Sequence, residues 1–118
     1  TAQTSASPST SQVSLSASGR FVRSYNGYDL EITLRNTGSS TIRFDDFDNV
    51  RINGSRRTHL ANLRDPEIRP GQSLTLSVGL RPLYQGTRGT TRRVQFEVYA
   101  WVNGRSVRVG SFSGTFRL

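Results

Sequence analysis

Residues 94–109 read Val94-Gln95-Phe96-Glu97-Val98-Tyr99-Ala100-Trp101-Val102-Asn103-Gly104-Arg105-Ser106-Val107-Arg108-Val109. Val94, Phe96, Val98, Ala100 and Val102 recur at every second position up to Asn103-Gly104, and Val107 and Val109 resume that spacing beyond it. Period two is the spacing of side chains that share one face of a strand. Asn-Gly is the dipeptide that best accepts the two positive φ angles of a type I′ turn. The stretch therefore predicts a long antiparallel hairpin with one face in a core. Asn26-Gly27 and Asn53-Gly54 repeat the signal, and nowhere do apolar residues follow the i, i+3, i+4 spacing of an amphipathic helix. The chain reads as all-β.

Working outward, Tyr28, Leu30, Ile32 and Leu34 alternate after the first Asn-Gly, with Phe21–Tyr25 predicted to pair across it. Val13, Leu15 and Ala17 alternate with serines and predict a first strand, punctuated at Gly19. Thr41–Phe44 and Val50–Ile52 read as two short strands around an acidic turn, Asp45-Asp46-Phe47-Asp48-Asn49. Pro70-Gly71 suits a type II turn; Leu74, Leu76, Val78 and Leu80 follow it as a strand, and residues 82–91 as a loop. With 118 residues the chain is one domain, able to bury about two thirds of its unfolded surface. The expected architecture is an Ig-like antiparallel β-sandwich of about seven to nine strands over residues 12–118. Residues 1–11 (TAQTSASPSTS) carry no charge and no aromatic. They are expected to form a flexible or partner-ordered N-terminal arm.

The 16 basic residues are all Arg, against eight acidic residues, and Lys, Met and Cys are absent. Absence of Cys removes disulfides and thiolate zinc sites. No apolar run approaches the ~20 residues of a membrane-spanning helix. A formal charge of +8 invites a nucleic-acid reading. The arginines are spread from Arg20 to Arg117, however, with Arg56-Arg57 and Arg92-Arg93 the only adjacent pairs. Dispersed charge on the polar phase of strands reads as a solvated face that resists edge aggregation, not as a nucleic-acid surface. Arg without Lys, Met or Cys fits a thermophilic, extracellular setting, the alternative being a GC-rich genome.

Chemistry is sparse. His59 is the single His, no Gly-x-Ser-x-Gly elbow accompanies it, and neither Lys nor Cys is present as a nucleophile. No catalytic residue and no cofactor site is expected, and the chain reads as non-enzymatic. Asp45, Asp46 and Asp48 are weak calcium candidates: their oxygens are of the right kind, but the spacing is not that of an EF-hand. The alternative is local backbone capping and pairing with Arg43 or Arg51. Tyr28, Tyr99 and Trp101 could offer a stacking surface, or cover the second face of a central strand. Asn53-Gly54-Ser55 is an N-glycosylation sequon in a predicted exposed turn, which makes Asn53 the glycosylation candidate.

Leu30-Glu31-Ile32-Thr33-Leu34-Arg35-Asn36-Thr37-Gly38-Ser39-Ser40-Thr41-Ile42 resembles the strand, Asn-Thr-Gly turn and strand of archaeal surface-filament domains. Asp46–Gly54 resembles the hairpin that follows in archaellins and in the soluble domains of archaellum stator proteins, and Pro70–Leu76 the Pro-Gly-x-x-strand element downstream. The resemblance covers about residues 28–80. It implies an Ig-like sandwich at an archaeal cell surface, working by protein–protein contact. Archaellins and type IV pilins polymerise through an N-terminal hydrophobic helix, and residues 1–20 cannot form one. The expected function is therefore an extracellular structural protein, a pilus- or thread-like filament subunit. Its N-terminal strand, with Val13, Leu15 and Ala17 as the assembly residues, would be donated head to tail to the next copy. The alternative is the soluble domain of an archaellum stator-like protein that binds the surface layer. Expected partners are copies of itself or other cell-surface proteins.

Overall fold

The computed structural model describes residues 4–11, 14–61 and 66–118. Among them lie ten strands and no helix: β1 (Thr4–Ser11), β2 (Leu15–Ser24), β3 (Gly27–Asn36), β4 (Ile42–Ile52), β5 (Ser55–Arg56), β6 (Thr58–Ala61), β7 (Glu67–Ile68), β8 (Ser73–Arg81), β9 (Thr91–Val102) and β10 (Arg105–Arg117). One antiparallel sheet has the order β2-β3-β8-β6 and the other β10-β9-β4-β5, with β7 pairing the start of β4. In an Ig domain the corresponding orders are A-B-E-D and G-F-C-C′. The chain thus has the expected Ig-like connectivity, with β1 added before the first strand.

The alternation seen in the sequence decides what faces inward. Tyr28, Leu30, Ile32 and Leu34 of β3 and Leu76, Val78 and Leu80 of β8 are buried from one sheet. Val94, Phe96, Val98 and Ala100 of β9, with Phe112 and Phe116 of β10, are buried from the other. Phe21 of β2 meets Phe116 of β10 edge-on at 6.2 Å across the two layers, and within the second sheet Phe96 stacks on Phe112 at 5.5 Å. Each such side chain contributes about 1.5–3 kcal/mol by leaving water.

Two expectations are corrected. The acidic stretch is not a turn: β4 runs unbroken through it, with register shifts between Phe44 and Asp46 and between Asp48 and Arg51. Each shift inserts one residue, so the inward residues Phe44, Phe47 and Val50 fall three apart, not two, and all are fully buried. That broken period hid the strand. Likewise β2 passes straight through Gly19, where a Cβ would meet the Phe116 ring at 2.7 Å. Glycine there lets the second sheet approach.

The Asn-Gly turns divide in the same way. Asn53-Gly54 and Asn103-Gly104 have positive φ at both residues and close their hairpins as expected. In the first hairpin Ser24 pairs with Gly27, so Tyr25-Asn26 is the turn. Gly27 serves another purpose. A Cβ on it would lie 2.7 Å from Leu83 Cβ and 2.8 Å from the Tyr84 carbonyl oxygen. The 82–90 loop folds against β3 at this point, with Tyr28 N–H donating to the Tyr84 carbonyl (2.9 Å).

Candidate assembly interface

β1 holds a special place in the topology. Ser7, Pro8, Thr10 and Ser11 pair antiparallel with Ser113, Phe112, Ser111 and Gly110 of β10. Thr4, Ser5 and Ala6 pair with Gly19, Ser18 and Ala17 of β2. The strand leaves one sheet and joins the other within eight residues, with a register shift between Pro8 and Thr10. Proline has no N–H to give a ladder, so a bulge is where a strand accommodates it. Without β1 the outer edges of β2 and β10 would both stand open; with it, the two sheets become one hydrogen-bonded path.

Residues 4–11 are thus a strand here, paired within the chain, where composition predicted an arm. Composition misled because ladder bonds come from the backbone, and Ser and Thr supply N–H and C=O groups as well as any apolar residue does. The named assembly residues fare differently. Val13 lies outside the described residues. Leu15 and Ala17 sit in β2, are 5% and 3% exposed, and pair with Asn36 and Leu34 of β3. They anchor the sandwich itself, and the segment that spans the two sheets lies before them.

The remaining candidates do not converge. The Asp45 carboxylate accepts from the Ser106 hydroxyl. Asp46 Oδ1 caps the Phe47 N–H and Asp48 Oδ1 the Asn49 N–H, both at 2.8 Å, one at each break in β4. Asp48 also lies 3.8 Å from Arg56. No group of three ligating side chains exists among the described residues. His59 Nε2 lies 2.8 Å from the Phe47 carbonyl oxygen, on the free edge of β4, and 3.8 Å from Asp46. Asn53 is exposed at its turn, its Oδ1 accepting from Arg93 N–H (2.9 Å), and Ser55 beside it is exposed too. Tyr28 is buried against Phe21, whereas Trp101 is 37% exposed and Tyr99 is half-buried on the outer face of β9. The three aromatics form no common surface.

One residue carries more than its sequence context suggested. Asn36, in the Asn-Thr-Gly turn, is fully buried. Its amide nitrogen donates to the Ser40 (2.7 Å) and Ile68 (2.8 Å) carbonyls, and its Oδ1 accepts from Gly38 N–H (3.0 Å). Its backbone N–H donates to the Gln72 carbonyl and its own carbonyl accepts from Gly71 N–H. The Asn36 side chain therefore ties the β3–β4 turn to β7, and its backbone ties the same turn to the one before β8. No protein-family model matches the chain, and no curated protein matches it significantly.

Proposed function

We propose that this chain is a non-enzymatic structural protein of the cell surface that assembles with copies of itself through β1. The observation that supports this reading is that one eight-residue strand covers both sheet edges at once. A neighbour's residues 4–11 in that slot would make the same ladder bonds, each worth about 1 kcal/mol net. An edge that is adhesive when bare becomes an assembly contact when a second copy fills it. Passed on from copy to copy, such donation does not close and yields a filament, as in thread-like archaeal pili. Glycosylation at Asn53 and an extracellular location belong to the same proposal.

A second product follows from the connection. Only residues 12–14 join β1 to β2, which at about 3.5 Å per residue spans roughly 10 Å. If β2 keeps its place, exchanging copies must touch end to end, and two copies can exchange strands reciprocally into a closed pair. Deleting residues 1–11 tests the proposal. Light scattering and electron microscopy should show assemblies for the full chain and none for the truncated one, which keeps its β-type circular dichroism. A peptide of residues 1–14 should bind the truncated protein. Filaments point to serial donation and a discrete dimer to the reciprocal pair. A full chain that stays monomeric at high concentration, or assembly unaffected by the deletion, removes the proposal and leaves the stator-like alternative.

A further inference from the structure

Arginines scattered along the sequence are brought together by the fold. The 82–90 loop closes over the end of the sandwich where β3 begins and β10 ends, and five guanidinium groups gather on it. Arg57 lies over the Tyr84 ring, 5.4 Å from its centroid, and donates to the Pro82 carbonyl. Its Nε is buried without a hydrogen-bond partner. Arg92 Nε donates to the Tyr84 hydroxyl at 2.9 Å. Arg117 reaches Gly89, with Nη2 3.9 Å from the Cβ position that residue lacks. Arg88 on the loop faces Arg23 of β2 across a cleft of about 300 Å³, whose other walls include Asn26 and Gln85.

Among the described residues, no side-chain carboxylate pairs with these five arginines. The ion pairs Arg20–Glu31, Arg56–Asp48, His59–Asp46 and Arg108–Glu97 all leave the five out. Asp29, the acidic residue of this end that is not in such a pair, gives its Oδ1 to Leu80 N–H (2.8 Å). Uncompensated like charges on a surface that carries +8 overall create a strong positive potential, which attracts polyanions.

We propose that this end of the sandwich binds a linear polysaccharide bearing carboxylate groups, with Arg23 and Arg88 gripping one carboxylate in the cleft and Arg92 and Arg117 extending the track. The planar guanidinium fork matches a carboxylate in two parallel hydrogen bonds, which suits an all-arginine surface. Asn26 and Gln85 add amide groups of the kind that bond sugar hydroxyls. The aromatic content argues against nucleic acid: single strands are held by stacking bases on exposed rings. Here the Tyr84 ring carries Arg57, and Tyr25, 87% exposed at its turn, stands as the lone open ring of this end. A membrane surface would want an apolar face beside the charge, and among the described residues Val22 and Tyr25 are the only exposed large apolar side chains here. The site is independent of strand exchange, since none of these arginines lies on β1.

Isothermal titration of the full chain with polygalacturonate at low salt tests the proposal, with neutral dextran, a single-stranded oligonucleotide and phosphatidylglycerol vesicles as comparison probes. Binding to polygalacturonate, weakened by salt and absent for dextran, is expected. The double variant Arg23→Ala/Arg88→Ala should lose about tenfold or more in affinity. Arg35→Ala/Arg69→Ala, at the opposite end, should leave affinity within about twofold while removing the same net charge. Circular dichroism checks that both variants are folded. Equal loss in the two variants, tighter binding of oligonucleotide or vesicles, or no binding of polygalacturonate at low salt would overturn the assignment.

Discussion

Replacing Asn36 by alanine removes three side-chain hydrogen bonds at once. They run to Ser40 and Ile68 carbonyls and from Gly38 N–H, at 2.7–3.0 Å. A bond lost with its partner left dry costs about 1–3 kcal/mol, and less where water can reach the orphan. The Ile68 contact is fully buried, while those to Ser40 and Gly38 are partly so. Taking the middle of the range for the first and the lower end for the others gives a loss of about 4 kcal/mol. For a chain of this length that lowers Tm by roughly 12–20 °C. Urea unfolding followed by tryptophan fluorescence measures it directly, because Trp101 is the single Trp. The midpoint should fall while the slope against urea is unchanged, since the surface exposed on unfolding is nearly the same. Asn36→Asp separates hydrogen bonding from volume. It keeps the acceptor for Gly38 but sets a carboxyl oxygen against two carbonyls, and should be at least as damaging. A loss under about 1 kcal/mol for either variant would refute the idea that this amide clamps the turn.

Other perturbations test the remaining joints. Gly27→Ala forces a Cβ against Leu83 and the Tyr84 carbonyl and should cost about 1–3 kcal/mol in urea unfolding, whereas Gly54→Ala, with open space around its Cβ, should show only the smaller penalty of its positive φ. Phe47→Ala empties a site shared with the Phe44 and Phe96 rings, 4.9 and 5.7 Å away, and should cost about 3–5 kcal/mol. If Asn53 carries sugar, intact-mass measurement of natively produced protein shows a hexose-scale increment that Asn53→Gln abolishes; a mass equal to the bare polypeptide ends that idea.

How far the fold could be read depended on whether local pattern and tertiary need agreed. Along β3, β8 and β9 each inward residue follows the last by two, and the period alone marks strand and face. In β4 the inward Phe44, Phe47 and Val50 are spaced by three, so an acidic strand with two bulges looked like a loop. Gly27 looked like half of a turn because its dipeptide fits one; its actual constraint, a loop arriving from residues 83–84, is set by contacts that no local window contains. β1 was hidden for a different reason: a backbone ladder leaves no mark on Ser, Thr and Ala. The arginines were legible as charge but not as a group, because Arg23, Arg57, Arg88, Arg92 and Arg117 meet only when the loop closes over Tyr84. In Asn36 the Asn-Thr-Gly signature announced a turn, yet nothing in it announced the clamp to Ile68, a residue 32 positions on.

The two ladders of β1 mature at very different times. Its pairing with β2 joins close neighbours, such as Ala6 with Ala17, whereas Ser7 meets Ser113 almost at the far end of the chain. Contacts so distant in sequence form late, because a long loop must close before they return any stabilisation. On a ribosome, residues 4–11 emerge well before β10 and must wait for it. Throughout that interval the strand is half-paired, and β10, once made, can take it from its own chain or from another nascent copy nearby. Dilution favours the first choice and crowding the second. Refolding at a series of protein concentrations should therefore shift the product from closed monomers to exchanged assemblies, with the proportion set by kinetics at the moment β10 appears.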